Sequence, residues 1–390
     1  MEYKKINELT AVVTGGTPST RKNEYWDNGD IPWLQSGCCQ NCDVDSTEKY
    51  ITKEGYNNSS THMMPADTVM IALTGATAGK VGYLKFEACG NQSITGILPC
   101  ESLNQRYLFF YLLSQREKIL ADCVGGAQAH ISQSYVKNMT IPILAIKEQE
   151  QIVGELTKLS NIVSLRQEEI QQLDALIKAR FVEMFGNPVT NEKGWTQKLL
   201  GEITIKIGSG ATPRGGKSTY QENGIALIRS MNVHNGMFEY RELAHISDEQ
   251  ATKLDNVVIE ENDVLLNITG ASVARSCVVP SEILPARVNQ HVCVIRCKEC
   301  IIPEFLNNLL IDDNYQELLW SIARAGATRE AITKQQVECL QIIMPPVELQ
   351  NEFMKFCKQV DKSKFDTMTF APIYAIINLY LHTYFYQGRR

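Results

Sequence analysis

The sequence predicts an α+β fold built as two tandem homologous domains separated by long helices of the antiparallel coiled-coil type. Three observations predict it. The 390-residue chain repeats itself at about half its own length. Within each copy the apolar runs are short and β-rich, with one helical stretch. Between the copies lies an apolar seam with alternating spacings of three and four. A chain of this length can bury more than one core, because single domains mostly run to about 100–200 residues.

The repeat is read from ordered matches. "TGGTPST" at 14–20 returns as "SGATPR" at 209–214, so Thr17-Pro18 and Thr212-Pro213 lie 195 positions apart. The same offset carries "ALTGATAGK" (72–80) onto "NITGASVAR" (267–275), placing Thr74-Gly75-Ala76 on Thr269-Gly270-Ala271. "IPWLQSGCCQN" (31–41) falls on "IALIRSMNVHN" (225–235) after a one-residue slip, and Asn91-Gln92 matches Asn289-Gln290 at an offset of 198. "GAQAHISQ" (126–133) then resembles "GATREAITK" (326–334), and "MTIPI" (139–143) resembles "IIMPP" (342–346). An offset that grows through insertions marks diverged copies.

The elements follow in order. Residues 1–145 form the first domain, with strand-like runs such as "DTVMIAL" (67–73) bounded by turn residues and a helical stretch at 104–120. Residues 146–186 form a spacer helix. Its seam is Ile152, Leu156, Leu159, Val163, Ile170, Leu173 and Ile177, with Arg166 and Arg180 at two of the same positions. The segment holds no proline and only Gly154, so a helix from about Glu148 to Phe185 would run about 57 Å. "FGNPVTNEKGW" ends it with Gly and Pro, and 187–194 serve as a linker. The second domain spans 195–345, with "NDVLLNI" (262–268) as a strand and a helical stretch at 303–323. Residues 346–365 start a second spacer helix through Phe353, Phe356 and Val360. A helix with such a seam needs a partner, and two helices flanking one domain can pair antiparallel. From 366 to 390 the heptad stops, with Pro372 and six aromatic residues in the segment. That break reads as a shifted frame or recombination junction that leaves part of the first seam unpaired; the other reading is a tail folded against the long helix.

Composition narrows the function. A net charge of -6 argues against a surface that coats nucleic acid everywhere but permits a local basic cleft. "MEYKKINELT" lacks the apolar core of a signal peptide and no stretch is long and apolar enough to span a bilayer, so the expected location is the cytoplasm, with no membrane contact. Twelve scattered cysteines read as small buried apolar residues. The pairs Cys39/Cys42 and Cys297/Cys300 are not equivalent in the repeat and have no completing ligands nearby, so no metal site is expected. "ATPRGGKS" (211–218) brushes a phosphate-binding-loop pattern, but "STYQENGIAL" lacks the apolar periodicity of the helix that such a loop must open. No amino-methyltransferase tetrapeptide, nuclease-type carboxylate cluster or histidine relay is found, and no catalytic residue is assigned.

Paired α+β domains, a helix after each, "GGTPS", "TGATAG", "NQ", "IPI" before "EQEQIV", and "FVEMFGNP" closing the first helix together resemble the specificity (S) subunit of type I restriction-modification systems. The resemblance covers residues 1 to about 365, and the tail departs from it. It implies two α+β target recognition domains separated by long antiparallel coiled-coil-type helices, each domain reading one half of a bipartite asymmetric site in double-stranded DNA. It also implies that the helices set the spacing and dock two modification (methyltransferase) subunits, that restriction/translocase subunits join the complex, and that S-adenosylmethionine, ATP and Mg belong to those partners. The chain itself would hold no cofactor and have no active site, within a complex that is a DNA adenine methyltransferase and ATP-dependent endonuclease.

Base edges are read by Arg, Lys, Asn, Gln, Ser and Thr side chains. In the first copy the candidates are Gln35 and Ser36, Thr77 and Lys80, and Gln128 with His130. Their counterparts in the second copy are Arg229, Ser230 and Asn232, then Ser272 and Arg275, then Thr328 and Arg329. The Thr-Gly-Ala turns read as structure that places the next loop. The alternative from another class is a coiled-coil adaptor whose two globular domains bind protein.

Overall fold

The computed structural model describes residues 2–122, 130–213, 215–325, 330–368 and 373–384. The chain divides into two compact units, Met1–Glu168 with Thr369–Arg390, and Glu169–Met368.

In the first unit, Glu2–Lys5 pairs antiparallel with Thr140–Ile143, the strand that precedes the long helix. The main sheet has the order Val12–Thr14, Ile94–Ile97, Val69–Ala72, Val81–Leu84 and Cys42–Val44. Side chains alternate across a strand, and here both faces are covered. Val69, Ile71, Val81 and Tyr83 join the helical core with Tyr107 and Leu108, while Met70, Ala72, Leu84 and Ile94 join a second cluster with Leu34 and Met64. Burial on both faces is why "VMIA" reads as a continuous apolar run. A three-stranded sheet completes the unit, with Ile31–Leu34 antiparallel to Tyr50–Ile51 and parallel to Cys89–Gly90.

The second unit repeats this plan. Gln197–Leu199 pairs antiparallel with Gln341–Ile343, and Ile225–Ile228 lies antiparallel to Ala244–Ile246 and parallel to Ala286–Val288. Its main sheet runs Thr204–Ser209, Val292–Cys297, Val264–Asn267, Ser276–Val278. Val264 and Leu266 face the helical core, and Leu265 faces the other cluster. Where the first unit adds Cys42–Val44 to the main sheet, the second has a two-stranded pairing of Val233–His234 with Met237–Phe238.

The doubled "G-x-T-P" turn has a steric cause. A Cβ on Gly15 would lie 2.0 Å from the Gly90 carbonyl oxygen, and one on Gly210 would lie 1.8 Å from that of Val288. The backbones approach too closely for any side chain. Gly16 N–H donates to the Gly90 carbonyl (2.8 Å) and Gly210 N–H to that of Asn289 (3.1 Å), which pins the turn to the Asn-Gln segment in both units.

A single 40-residue helix, Ile146–Phe185, follows the first domain. Ile152 and Leu156 are fully buried in the first unit's core, with Leu159 half-buried against it and Val163 also buried. In the second unit Ile170, Leu173 and Ile177 are half-buried, and the deeply buried residues are Phe181 and Phe185, one position past the heptad count. A strict seven-residue count drifts by about 20° per heptad on a straight α-helix, nearly one residue over four heptads.

Phe181 meets Phe353 edge to face with ring centroids 5.5 Å apart, and Phe185, Phe305 and Phe353 complete the aromatic cluster. Such pairs add to the burial of their area. Phe353 belongs to Val347–Met368, which runs three residues past the expected end at 365. Arg180 pairs with Glu352 and Asp174 with Lys364, so the two helix segments of this unit run antiparallel. Val360 is buried, and Phe356 is half-buried with the Arg180 guanidinium 5.8 Å from its ring centre.

The tail corrects the expectation of an unpaired first seam. It forms a helix, Ile373–His382, whose Ile377 and Leu381 enter the same core as Ile152 and Leu156. Tyr380 donates a hydrogen bond to Glu155 on the long helix. That bond, then one from Gln151, holds the Glu155 carboxyl below its usual range. The sequence lacks a heptad here because the helix is short and packs into a domain core as well as against the long helix.

Each unit also locks the start of its helix with a buried glutamine. Gln149 accepts from Asn104 N–H (2.8 Å) and donates to the Leu144 carbonyl (2.9 Å). Gln350 accepts from Ile302 N–H (2.9 Å) and donates to the Pro345 carbonyl (2.9 Å). Both side chains are fully buried.

Candidate nucleic-acid interface

Loops at one edge of each unit carry the sequence candidates. In the first unit Gln35 follows Ile31–Leu34 directly and is exposed, and Ser36 opens a one-turn 3-10 helix, Ser36–Cys38. Thr77 closes a second such turn, Gly75–Thr77, with its hydroxyl on the Thr74 carbonyl (3.3 Å). Lys80 donates to the Gln40 side chain (2.6 Å), which ties the Thr-Gly-Ala loop to the Gln35 loop. His130 is exposed and bridges backbone to backbone with Thr74, so three loops distant in sequence meet. Gln128 lies outside the described residues.

The second unit builds the same edge with other side chains. Ser230–Asn232 and Gly270–Ser272 form the corresponding 3-10 turns, and Thr269 bridges Ala331 as Thr74 bridges His130. Asn267 joins the turns: its amide donates to the Ser230 carbonyl (2.8 Å) and to Ser272 Oγ (3.2 Å). Arg275 approaches His234 at 3.4 Å. Arg229 donates to the Glu242 carbonyl, lies with its guanidinium 5.5 Å from the Tyr220 ring centre, and has a buried Nε with no partner among the described residues. Next to this loop, the hydrogen bond from Tyr240 to Glu282 lowers the carboxyl and, reinforced by burial of the phenol, pushes Tyr240 up to about 12.

Asn232, expected as a DNA contact, is fully buried. Its Oδ1 accepts from Arg229 N–H (3.0 Å) and its Nδ2 donates to the Glu239 carbonyl (2.9 Å). A polar residue at the end of a turn is as suited to satisfying the turn's own backbone as to reaching outward, and here the first use prevails. Thr328 and Arg329 lie outside the described residues. The segment that brushed the phosphate-loop pattern follows the strand Thr204–Ser209 and holds a four-residue 3-10 turn, Gly216–Thr219, with no α-helix opening at Lys217.

One contact escaped sequence reasoning in both copies. Thr17 donates to Gln92 Oε1, and Thr212 donates to Gln290 Oε1. In the second unit the chain continues, because Gln290 Nε2 lies 3.0 Å from His291 Nε2 and His291 Nδ1 bonds Thr269 Oγ1. With the Gln290 amide donating, His291 carries its proton on Nδ1 and donates to Thr269. In the first unit Ser93 holds the position of His291. There Gln92 lines an open cavity of about 790 Å³ together with Gln35, Thr17, Trp26, Trp33 and Tyr50. Repetition of Thr-Pro and Asn-Gln at near-equal offsets was the signal that could have found this pair.

Among the described residues no group of three or more His, Cys, Asp or Glu side chains is placed to hold a metal ion, and no helix is long and apolar enough to cross a membrane.

The repeated units first define a class: a tandem-domain recognition protein, one scaffold carrying two unlike loop edges. The family follows directly. A family model described as the type I restriction modification DNA specificity domain matches residues 1–175 and 192–373, and the chain belongs to that family. It is 24% identical over 375 residues to a Methanocaldococcus jannaschii type I restriction enzyme MjaIX specificity subunit, covering 90% of this chain and 84% of that protein. It is 33% identical over 169 residues to the Escherichia coli EcoR124I/EcoR124II specificity subunit, an alignment that spans 42% of each protein. The fold is similar to that of a type I restriction-modification S subunit from M. genitalium, with a TM-score of 0.53, 14% identity and coverage of 98% of this chain and 94% of that one.

Proposed function

We propose that this chain is the non-catalytic DNA-recognition subunit of a type I restriction-modification complex. Each unit reads one half of a bipartite asymmetric site in double-stranded DNA, and the helices set the spacing and dock two methyltransferase subunits. Restriction/translocase subunits complete the assembly in the cytoplasm, and S-adenosylmethionine, ATP and Mg belong to the partner subunits, not to this chain. The observation that carries this reading is the pair of units with one scaffold and different side chains at equivalent loops, Gln35 against Arg229 and Lys80 against Arg275. Divergence between the edges accounts for an asymmetric site, and covalent linkage makes the second binding event intramolecular.

The test combines two measurements on the chain with its modification subunits. Mapping of methylated positions in host DNA should return one asymmetric bipartite motif. Binding to duplex DNA should weaken steeply with salt, by a slope near the number of phosphates contacted. A chain that binds no duplex in that complex, at any salt, is an adaptor and not a reader.

A further inference from the structure

We propose that Gln92 and Gln290 are specificity-determining residues of the two units, each reading an adenine edge with an amide whose orientation a threonine fixes. This rests on the DNA-reading function above and adds residues that neither loop chemistry nor family membership assigns.

Four observations carry it. The Thr17–Gln92 and Thr212–Gln290 pairs are equivalent contacts in copies that differ at neighbouring edge positions, Gln35 against Arg229 and Lys80 against Arg275. Their side chains are exposed, where one hydrogen bond adds little to stability. The turn is already pinned by the backbone bonds from Gly16 to Gly90 and from Gly210 to Asn289, so the side-chain bond is not needed to hold it. Gln92 also lines the same cavity as Gln35, at the edge already singled out for reading.

The chemistry selects the base. A hydroxyl donating to Oε1 excludes the flipped amide, because an N–H₂ group cannot accept it. The oxygen keeps a second lone pair, and Nε2 keeps a donor. An acceptor beside a donor matches N6–H₂ and N7 of adenine in the major groove. The copies differ in rigidity. Gln290 is held at both ends, by Thr212 and His291, whereas among the described residues Gln92 is held by Thr17 alone.

The experiment is methylation mapping with the full chain and its modification subunits, in parallel with thermal unfolding of each variant. Gln92→Ala should relax one adenine of one half-motif by about tenfold, the effect of losing a bidentate pair, and leave the other half unchanged. Gln290→Ala should do the same in the opposite half. Gln92→Glu keeps an oxygen for Thr17 but has no donor and should relax the same position; Thr17→Ser should preserve the motif and Thr17→Val should loosen it. His291→Ser should reduce discrimination at the Gln290 position without abolishing it. The proposal is overturned by an unchanged motif at unchanged level in the glutamine variants, by a uniform fall in methylation with the motif intact, or by relaxation at a base other than adenine. If the wild-type chain yields no bipartite motif, the DNA-reading function itself fails, a result separate from these.

Discussion

The two units share a scaffold but are closed by different means. In the second, the long helix and Val347–Met368 meet through an aromatic cluster of Phe181, Phe185, Phe305 and Phe353. In the first, the equivalent place on the long helix is covered by the aliphatic side chains of the tail helix, Ile377 and Leu381 against Ile152 and Leu156. The same need, keeping an apolar helix face dry, is met once by a helix that continues from its own domain and once by the far end of the chain. A domain's core is therefore not always closed by residues next to it in sequence.

That contrast can be broken most strongly by ending the chain at Met368. Two aliphatic side chains leave the first core, each worth about 1.5–3 kcal/mol. The first unit's calorimetric transition should fall by several degrees while the second holds; a fall in both would show that the units do not unfold independently. Phe353→Ala is the mirror experiment, with an expected loss of about 3–5 kcal/mol confined to the second unit in denaturant unfolding.

The buried glutamines sharpen the comparison by doing the same task in both units. Gln149→Ala and Gln350→Ala each strand a backbone N–H, at a cost of about 1–3 kcal/mol, and each should lower only its own unit's transition. Lys80→Ala and Arg275→Ala compare the two edges. Each should lower the salt slope of duplex binding by about 1 if it meets a phosphate. The smallest effect is expected at Tyr380→Phe. The folded Glu155 carboxyl is lowered by that hydrogen bond. Its contribution is therefore present above the ordinary carboxylate range and lost as pH falls through the folded value. The wild-type first unit should lose a little more stability on acidification than the Tyr380→Phe variant, as read by thermal unfolding at pH 7 and pH 3.

The repeat, the alternation of strands and helices, and the seam from Ile152 to Ile177 were legible because they are periodic, and periodicity survives divergence. Gln35 and Lys80 could be singled out because polar side chains beside a turn leave a pattern, and the structure puts Gln35 exposed and Lys80 half-buried against Gln40. Asn232 was misread because the same residue type serves a turn's own backbone equally well. Gln149 and Gln350 were missed because a lone glutamine carries no sign of where it points, and the Thr17–Gln92 pair because repetition of its two dipeptides shows that they matter without showing that they touch.

By itself, the sequence determined that two copies of one domain exist, where the long helix lies between them, and which turns repeat. These are local facts, written in spacing and in glycines that admit close backbone approach. Tertiary structure alone decided that residues 373–382 close the first core, that Phe181 rather than Arg180 is buried, and that Gln290 is fixed at both ends while Gln92 is fixed at one. Each depends on which distant side chain arrives opposite, and chain order does not encode that arrival.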